Sequence, residues 1–320
     1  MSASDTIVLG DVSVTRVLEW TGRIRTVADF VPDSTPAGRA ALSPPFRDPA
    51  DDAYRCAIQT WVLRSEGRTI LVDTGAGNDR DRPQIPTFDH LQTPFLENLA
   101  RAGVRPEDVD VVVNTHVHYD HVGWNTRSDD GAWVPTFPRA TYVMPRVDHD
   151  YFDPVNEHRR PAPVTDADRL RRRGSHLVFG DSVRPVVQAG LATLWEDRYV
   201  IDRNLTLEPA PGHTPGSSVL RLRSKGDRAV FVGDILHSPV QIAEPDANSC
   251  FCEDAGAARA TRRRLLAEAA EERTLVVPAH FPGHGAAEVR ARGAGYEVRR
   301  WAGFRPVDDG EPARSVRGGA

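Results

Sequence analysis

Residues 109–113 form a short, valine-rich run without polar alternation, and within three residues of its end comes His116-Val117-His118-Tyr119-Asp120-His121. An apolar run of that length reads as a strand buried on both faces of a sheet, which requires packed layers above and below it. Three imidazoles and a carboxylate within six residues then concentrate nitrogen and oxygen donors on a loop held by rigid backbone. Such donors suit zinc and other divalent first-row metals, and the lack of nearby cysteine argues against a closed structural zinc knot. Open coordination positions point to catalysis.

The surrounding pattern predicts how the layers are built. Residues 57–63 and 69–72 read as a hairpin turning at Glu66-Gly67, 93–102 as a helix, and 109–113 as the next strand. In the second half, strands are expected at 205–207, 218–222, 229–232 and 274–277, with a helix over 257–270 presenting Ala258, Leu265, Leu266 and Ala269 on one face. Strand, helix, strand order in both halves predicts an α/β fold, an αββα sandwich of two mixed sheets with helices outside. Residues 1–304 are expected to form one domain, with lid-like insertions near 29–52 and 148–175 that read either as solvated surface or as cover for a site. A frayed tail is expected over 305–320.

More donors adjoin the later strands: His213 in Pro211-Gly212-His213-Thr214-Pro215-Gly216, Asp234 after Phe231-Val232-Gly233, and His280 after Val277-Pro278-Ala279. Strand ends separated widely in sequence are how a sheet gathers ligands onto one edge. These motifs, taken in order with Asp73-Thr74-Gly75, resemble those of the metallo-β-lactamase superfamily over about residues 57–284. The resemblance implies that His116, His118 and His213 bind one metal, that Asp120, His121 and His280 bind a second, and that Asp234 bridges them. Asp73 is then a supporting residue. Within the superfamily the pattern is most similar to N-acyl homoserine lactone lactonases and methyl parathion hydrolase-like enzymes. The lactonases carry a substrate-contacting tyrosine three residues after the bridging aspartate, where this chain has His237, as in the methyl parathion hydrolase group.

The expected activity is hydrolysis, a metal-bridging hydroxide attacking a lactone or other ester carbonyl, with quorum quenching as the associated role. Phosphotriester, β-lactam and thioester hydrolysis are the alternatives, followed by a di-iron oxidoreductase or a non-catalytic metal-binding module. Asp120 and His237 are the candidate catalytic residues; His237 either donates a hydrogen bond to the oxyanion or leaving group, or is a packed histidine. Two divalent ions are expected, zinc first, with manganese, iron or cobalt also compatible. Trp124, Phe30, Phe46, Tyr151 and Phe152 are candidate pocket aromatics, and Arg159, Arg160 and 171–173 candidate anion contacts, against the alternatives of packing and solvated surface. A net charge of −5 speaks against nucleic-acid capture. No run reaches the roughly 20 apolar residues of a membrane span, and the N-terminus lacks a signal-like pattern, so a cytoplasmic protein with a small-molecule substrate is expected, as a homodimer. Cys56, Cys250 and Cys252 are expected as free thiols.

Overall fold

The computed structural model describes residues 5–306. Among these, two seven-stranded sheets and a small separate hairpin hold the strands. The first sheet runs in spatial order Thr6–Leu9, Val12–Thr26, Ala53–Ser65, Arg68–Val72, Val111–Val113, Thr141–Pro145, Ala192–Trp195. Its last four strands are mutually parallel and the others antiparallel. The second runs Tyr199–Val200, Leu205–Pro209, Ser218–Ser224, Asp227–Gly233, Leu275–Pro278, Ala287–Arg292, Gly295–Trp301, and only the pair Asp227–Gly233 and Leu275–Pro278 is parallel. Both sheets are mixed. The turn at Glu66-Gly67 has positive φ at both residues, 50° and 78°, matching the twist of the strands it joins.

Side-chain alternation assigns each strand to two layers. Val111 and Val113 face the apolar layer between the sheets, beside Ile70, Val72, Phe231 and Val277. Val112 faces the other way, into an outer layer with Phe95 and Leu99 of the helix Phe95–Arg101. On the far side, Val276 points outward to Leu265, Leu266 and Ala269 of the helix Ala255–Glu272, while its neighbours Leu275 and Val277 point inward. The αββα sandwich follows from this alternation. No helix among the described residues is long and apolar enough to cross a membrane.

Two regions depart from what sequence pattern suggests. Val12–Thr26 is a fifteen-residue strand with a buried polar residue on each face, Arg16 beside Val12 and Val14 and Glu19 on the side of Val17 and Trp124, which breaks the hydrophobic period. The hairpin Ala287–Arg292 and Gly295–Trp301 is rich in arginine and also gives a weak apolar signal. Segment 29–52 sends Phe30, Val31, Leu42 and Phe46 into the core, while more than half of its residues are exposed. Of the expected tail, residues 307–320 lie outside the described residues; Arg305 is held by its amide on Asp5 Oδ1 (2.7 Å) and its carbonyl on the Arg16 guanidinium.

Two fully buried arginines fasten the segment after Gly77. Arg82 makes a fork of hydrogen bonds to Asp181 (2.7 and 2.9 Å), and Arg80 reaches Asp181 Oδ1 (3.1 Å), the Asp181 carbonyl and the Thr126 carbonyl. Trp133 covers the Arg80 guanidinium at 3.8 Å. One carboxylate thus compensates two buried cations. Asp181→Ala is expected to cost about 3–5 kcal/mol, because it strands both charges. Urea denaturation checks this, and a loss under about 1 kcal/mol would mean that the guanidinium groups reach water instead.

Candidate metal centre

Each donor sits where a strand of one sheet ends. The backbone ladder of Val111–Val113 runs on through Asn114 N, bonded to Val143 O (3.0 Å), and releases His116 and His118 into a loop. Asp120 and His121 follow on the short helix Tyr119–Val122. His213 lies between Leu205–Pro209 and Ser218–Ser224, Asp234 directly after Asp227–Gly233, and His280 shortly after Leu275–Pro278. The two sheets therefore deliver their donors to one edge of the sandwich. Gly233 permits that approach: a Cβ there would stand 2.8 Å from Thr115 Oγ1, and its φ is +49°.

Two sets of donors result. In the first, His118 Nδ1 lies 3.1 Å from His116 Nε2 and 2.9 Å from His213 Nε2, and Asp234 Oδ2 lies 3.2 Å from His213 Nε2. In the second, His121 Nε2 and His280 Nε2 are 3.2 Å apart, Asp120 Oδ2 is 3.5 Å from His280, and Asp234 Oδ1 is 2.9 Å from His280 and 3.2 Å from His121. Asp234 turns one oxygen to each set. The sequence-predicted donors His116, His118, Asp120, His121, His213, Asp234 and His280 are thus brought together, all of them buried or nearly so.

Outer hydrogen bonds aim these rings. His121 Nδ1 donates to Asp73 Oδ2 (2.8 Å) and His280 Nδ1 donates to the Ala57 carbonyl (2.9 Å), so each keeps its Nε2 lone pair for the centre. Thr115 Oγ1 donates to Asp73 and accepts from His116 Nδ1 (3.1 Å), which fixes a third ring. Asp73 holds this post with φ at +55°, in the left-handed region that aspartate tolerates better than most residues.

The donor set fits a pair of cations. Nitrogens bound to one tetrahedral zinc at 2.0–2.1 Å stand about 3.3 Å apart, close to the separations here. Asp234 Oδ1, though buried and within 3.2 Å of two imidazoles, accepts no hydrogen bond among the described residues. Converging lone pairs beside an unsatisfied carboxylate oxygen call for positive charge. Without metal that charge comes from protons. Burial and neighbouring imidazoles hold His116 and His118 well below the ordinary histidine pKa. Burial also opposes the charge on His213, but Asp234 outweighs it and holds the ring up at about 9.

His237 is near the centre as well. Its Nε2 is 3.1 Å from Asp234 Oδ2, its backbone amide donates to Gln241 Oε1 (2.8 Å), and its Nδ1 is buried without a partner. Burial lowers its pKa to about 4, against the pull of Asp234, so the ring is neutral at pH 7.

Five of the donors, His118, Asp120, His213, Asp234 and His280, form the floor of a cavity of about 210 Å³. Its walls are chiefly apolar: Ile24, Phe30, Ile58, Ile85, Phe88 and Phe251. Of the aromatics suggested by sequence, Phe30 lines it. Trp124 instead stacks on Phe95 and donates to Glu19 (2.7 Å), Phe46 packs on Phe281 and Trp301, and Phe152 backs His118 from outside the wall. Tyr151 and Arg160 stack on each other, with Glu253 bonded to the tyrosine. Arg159 and Arg173 are exposed, and the side chain of Arg171 lies outside the described residues. Segment 148–175 contributes nothing to the cavity wall among the described residues. Its first residue acts elsewhere. Asp148 accepts from Val117 N (2.9 Å), Thr214 Oγ1 (2.8 Å) and Gly216 N (2.6 Å), joining the two loops that carry the first donor set. A lone aspartate in a polar stretch gives no sign of this. Nor do Ile85 and Phe88, whose wall role depends on the arginine network behind them.

The comparisons with known proteins agree with the geometry. The family model described as metallo-beta-lactamase superfamily matches residues 53–280. The chain belongs to that superfamily. Among curated proteins, it is 28% identical over 238 residues to metallo-beta-lactamase domain-containing protein 1 of Rattus norvegicus, covering 74% of this chain and 68% of that one. The Mus musculus counterpart is 26% identical, and the match spans 65% of its length, just under two thirds. Among solved structures, the hydrolase AbOPH superposes with a TM-score of 0.77 at 24% identity over 96% of this chain and 98% of its own. AidC, a dizinc quorum-quenching lactonase in complex with a hexanoyl-homoserine product, gives 0.73 at 22% identity, covering 92% and 96%. At such identities these two share the fold.

Two outcomes are expected. Zinc added to metal-free protein at pH 7 in weak buffer should release protons, because His213 is protonated below about 9 and must lose its proton to ligate; zinc binding without proton release would contradict the assignment. Asp73→Ala should weaken zinc binding about 10- to 100-fold by freeing His121, and a competition titration that shows wild-type affinity would remove Asp73 from its supporting role.

Proposed function

We propose that this chain is a metal-dependent hydrolase that cleaves a lactone or other ester carrying an apolar body. The observation that supports it best is the juxtaposition of the two donor sets, joined through Asp234, with the apolar cavity above them. His116, His118 and His213 with Asp234 would hold one divalent ion, and Asp120, His121 and His280 with Asp234 the other, with zinc favoured by the ligand types. Bound there, the ions would supply a water of lowered pKa and a Lewis acid for the carbonyl oxygen.

The protein's own groups would do the rest. Ile58, Ile85, Phe88 and Phe251 desolvate the substrate's apolar portion and exclude bulk water from the floor. Asp73, Thr115 and the Ala57 carbonyl keep three rings oriented, so that the floor does not rearrange as charge develops. Asp120, which lies at the cavity floor, would take up a proton during turnover. His237, neutral at pH 7, donates its Nε2 proton to Asp234 Oδ2 (3.1 Å) and lines the cavity, and by redirecting that proton it would give a hydrogen bond to the developing oxyanion or leaving group. Phosphotriester hydrolysis is the second reading, favoured by histidine at 237 where the lactonase pattern has tyrosine.

His116→Ala and Asp234→Ala are expected to lose bound metal and turnover together; full turnover from a metal-free variant would sink the proposal. His237→Ala should lower kcat by about 100-fold while metal content stays at the wild-type level. Loss of metal in that variant would instead make His237 a ligand. Assayed side by side, an acyl homoserine lactone, an aryl ester, a phosphotriester and a β-lactam separate the readings, with the lactone or ester expected to lead.

A further inference from the structure

Apart from the donors themselves, Arg25 is the one charged side chain of the described cavity wall. It stands at the end of the strand Val12–Thr26, where the chain turns into the core, and it is exposed. Its guanidinium lies over the Phe251 ring, 5.3 Å from the centroid, and Nη1 is 3.9 Å from Cys250 Sγ. Neither contact supplies negative charge. Other arginines nearby are matched: Arg23 with Asp51, Arg47 with Asp52 and Arg55 with Asp48. Among the described residues Arg25 forms no such pair.

A guanidinium laid on an aromatic face keeps its edge for a planar acceptor, and a carboxylate fits that edge with two parallel hydrogen bonds. The walls between the donor floor and Arg25 are apolar, so an anion on the substrate has no other protein cation to meet within the cavity. With a scissile carbonyl at the floor and a hydrocarbon segment against the apolar walls, the remaining end of such a molecule would lie beside Arg25.

Resting on the hydrolase reading above, we propose that Arg25 is a specificity residue that binds a carboxylate at the end of the substrate remote from the bond cleaved, so that the preferred substrates are anionic esters or lactones. The reaction itself is unchanged: water adds across the acyl–oxygen bond, giving an acid and an alcohol, and the remote carboxylate takes no part in bond making.

The test uses the zinc-loaded full chain with two aryl esters of equal chain length, p-nitrophenyl hexanoate and the mono-p-nitrophenyl ester of adipic acid. Wild type is expected to favour the adipate ester in kcat/KM, and that preference should shrink as salt rises, since the contact is near the surface. In Arg25→Met the ratio of the two kcat/KM values should fall about tenfold, mostly through KM, while Arg25→Lys keeps part of it. Equal ratios in wild type and Arg25→Met, or a wild-type preference for hexanoate, would overturn the proposal. If neither ester is cleaved, the hydrolase reading is what fails. Arg25 is then judged by binding of hexananilide and adipic acid monoanilide, where about tenfold tighter binding of the carboxylate form to wild type, lost in Arg25→Met, is expected and equal binding overturns it.

Discussion

Five imidazoles and two carboxylates pointed at one another in a buried place are unstable without positive charge between them, and this constraint governs the donor edge of the fold. His118 Nδ1 faces two other ring nitrogens at 3.1 and 2.9 Å, closer than neutral lone pairs tolerate without a shared proton or ion. Asp234 offsets part of that cost by turning an oxygen to each set, which is why its own pKa lies well below the usual carboxylate range despite burial. A metal ion held there would compete with protons for the same lone pairs, which would couple metal occupancy to pH.

The donors stay aimed because other carboxylates bind the loops that carry them. Asp73 ties His121 and Thr115 together, and Asp148 ties the His118 loop to the His213 loop. Glu19 accepts from the amides of Ala76 and Gly77 and from Trp124 Nε1, linking the loop after Asp73 to the residues after His121. Burial raises Glu19 to about 7 and Asp148 to about 6, even though backbone amides favour their charged forms. Arg262 does the same for the chain beyond Asp234, donating to the carbonyls of Ile235 and Pro245 from inside the helix Ala255–Glu272. These buried charges fix backbone that has no regular secondary structure, which apolar side chains could not do because they offer it no hydrogen bonds.

The cavity is assembled differently from the floor beneath it. Phe30 and Phe251 meet edge to face at 5.7 Å, and Phe88 packs on Trp20 at 5.1 Å, so the walls are parts of the core that remain open on one side. Ile85 and Phe88 belong to the segment fastened by Arg80, Arg82 and Asp181, whose contacts with the Gly123 and Thr126 carbonyls also reach the loop after His121. Wall and floor therefore share a support, and substrate fit and donor geometry are expected to respond together to changes in it.

Much of this was legible in residue order alone. The strand before His116, the hairpin at Glu66-Gly67 and the helix along 257–270 announce themselves by local periodicity and turn chemistry. The candidate donors are legible too, because closely spaced histidines and aspartates are a typical metal-ligand pattern and the sheets place them beside apolar runs. Pattern failed where partners are distant in sequence. Val12–Thr26 hides its strand character behind the buried polar residues Arg16 and Glu19, whose burial makes sense only once Gly283, 267 residues away from Arg16, and the amides of Ala76 and Gly77 come near. Asp148, Ile85, Phe88 and Arg25 carry no local sign of their positions. The sequence by itself determined the strands and the kind of atoms that meet at their ends, since both depend on near neighbours and residue chemistry; only the tertiary structure decided which buried charges hold those ends and what walls stand over them, since those depend on segments that meet through folding.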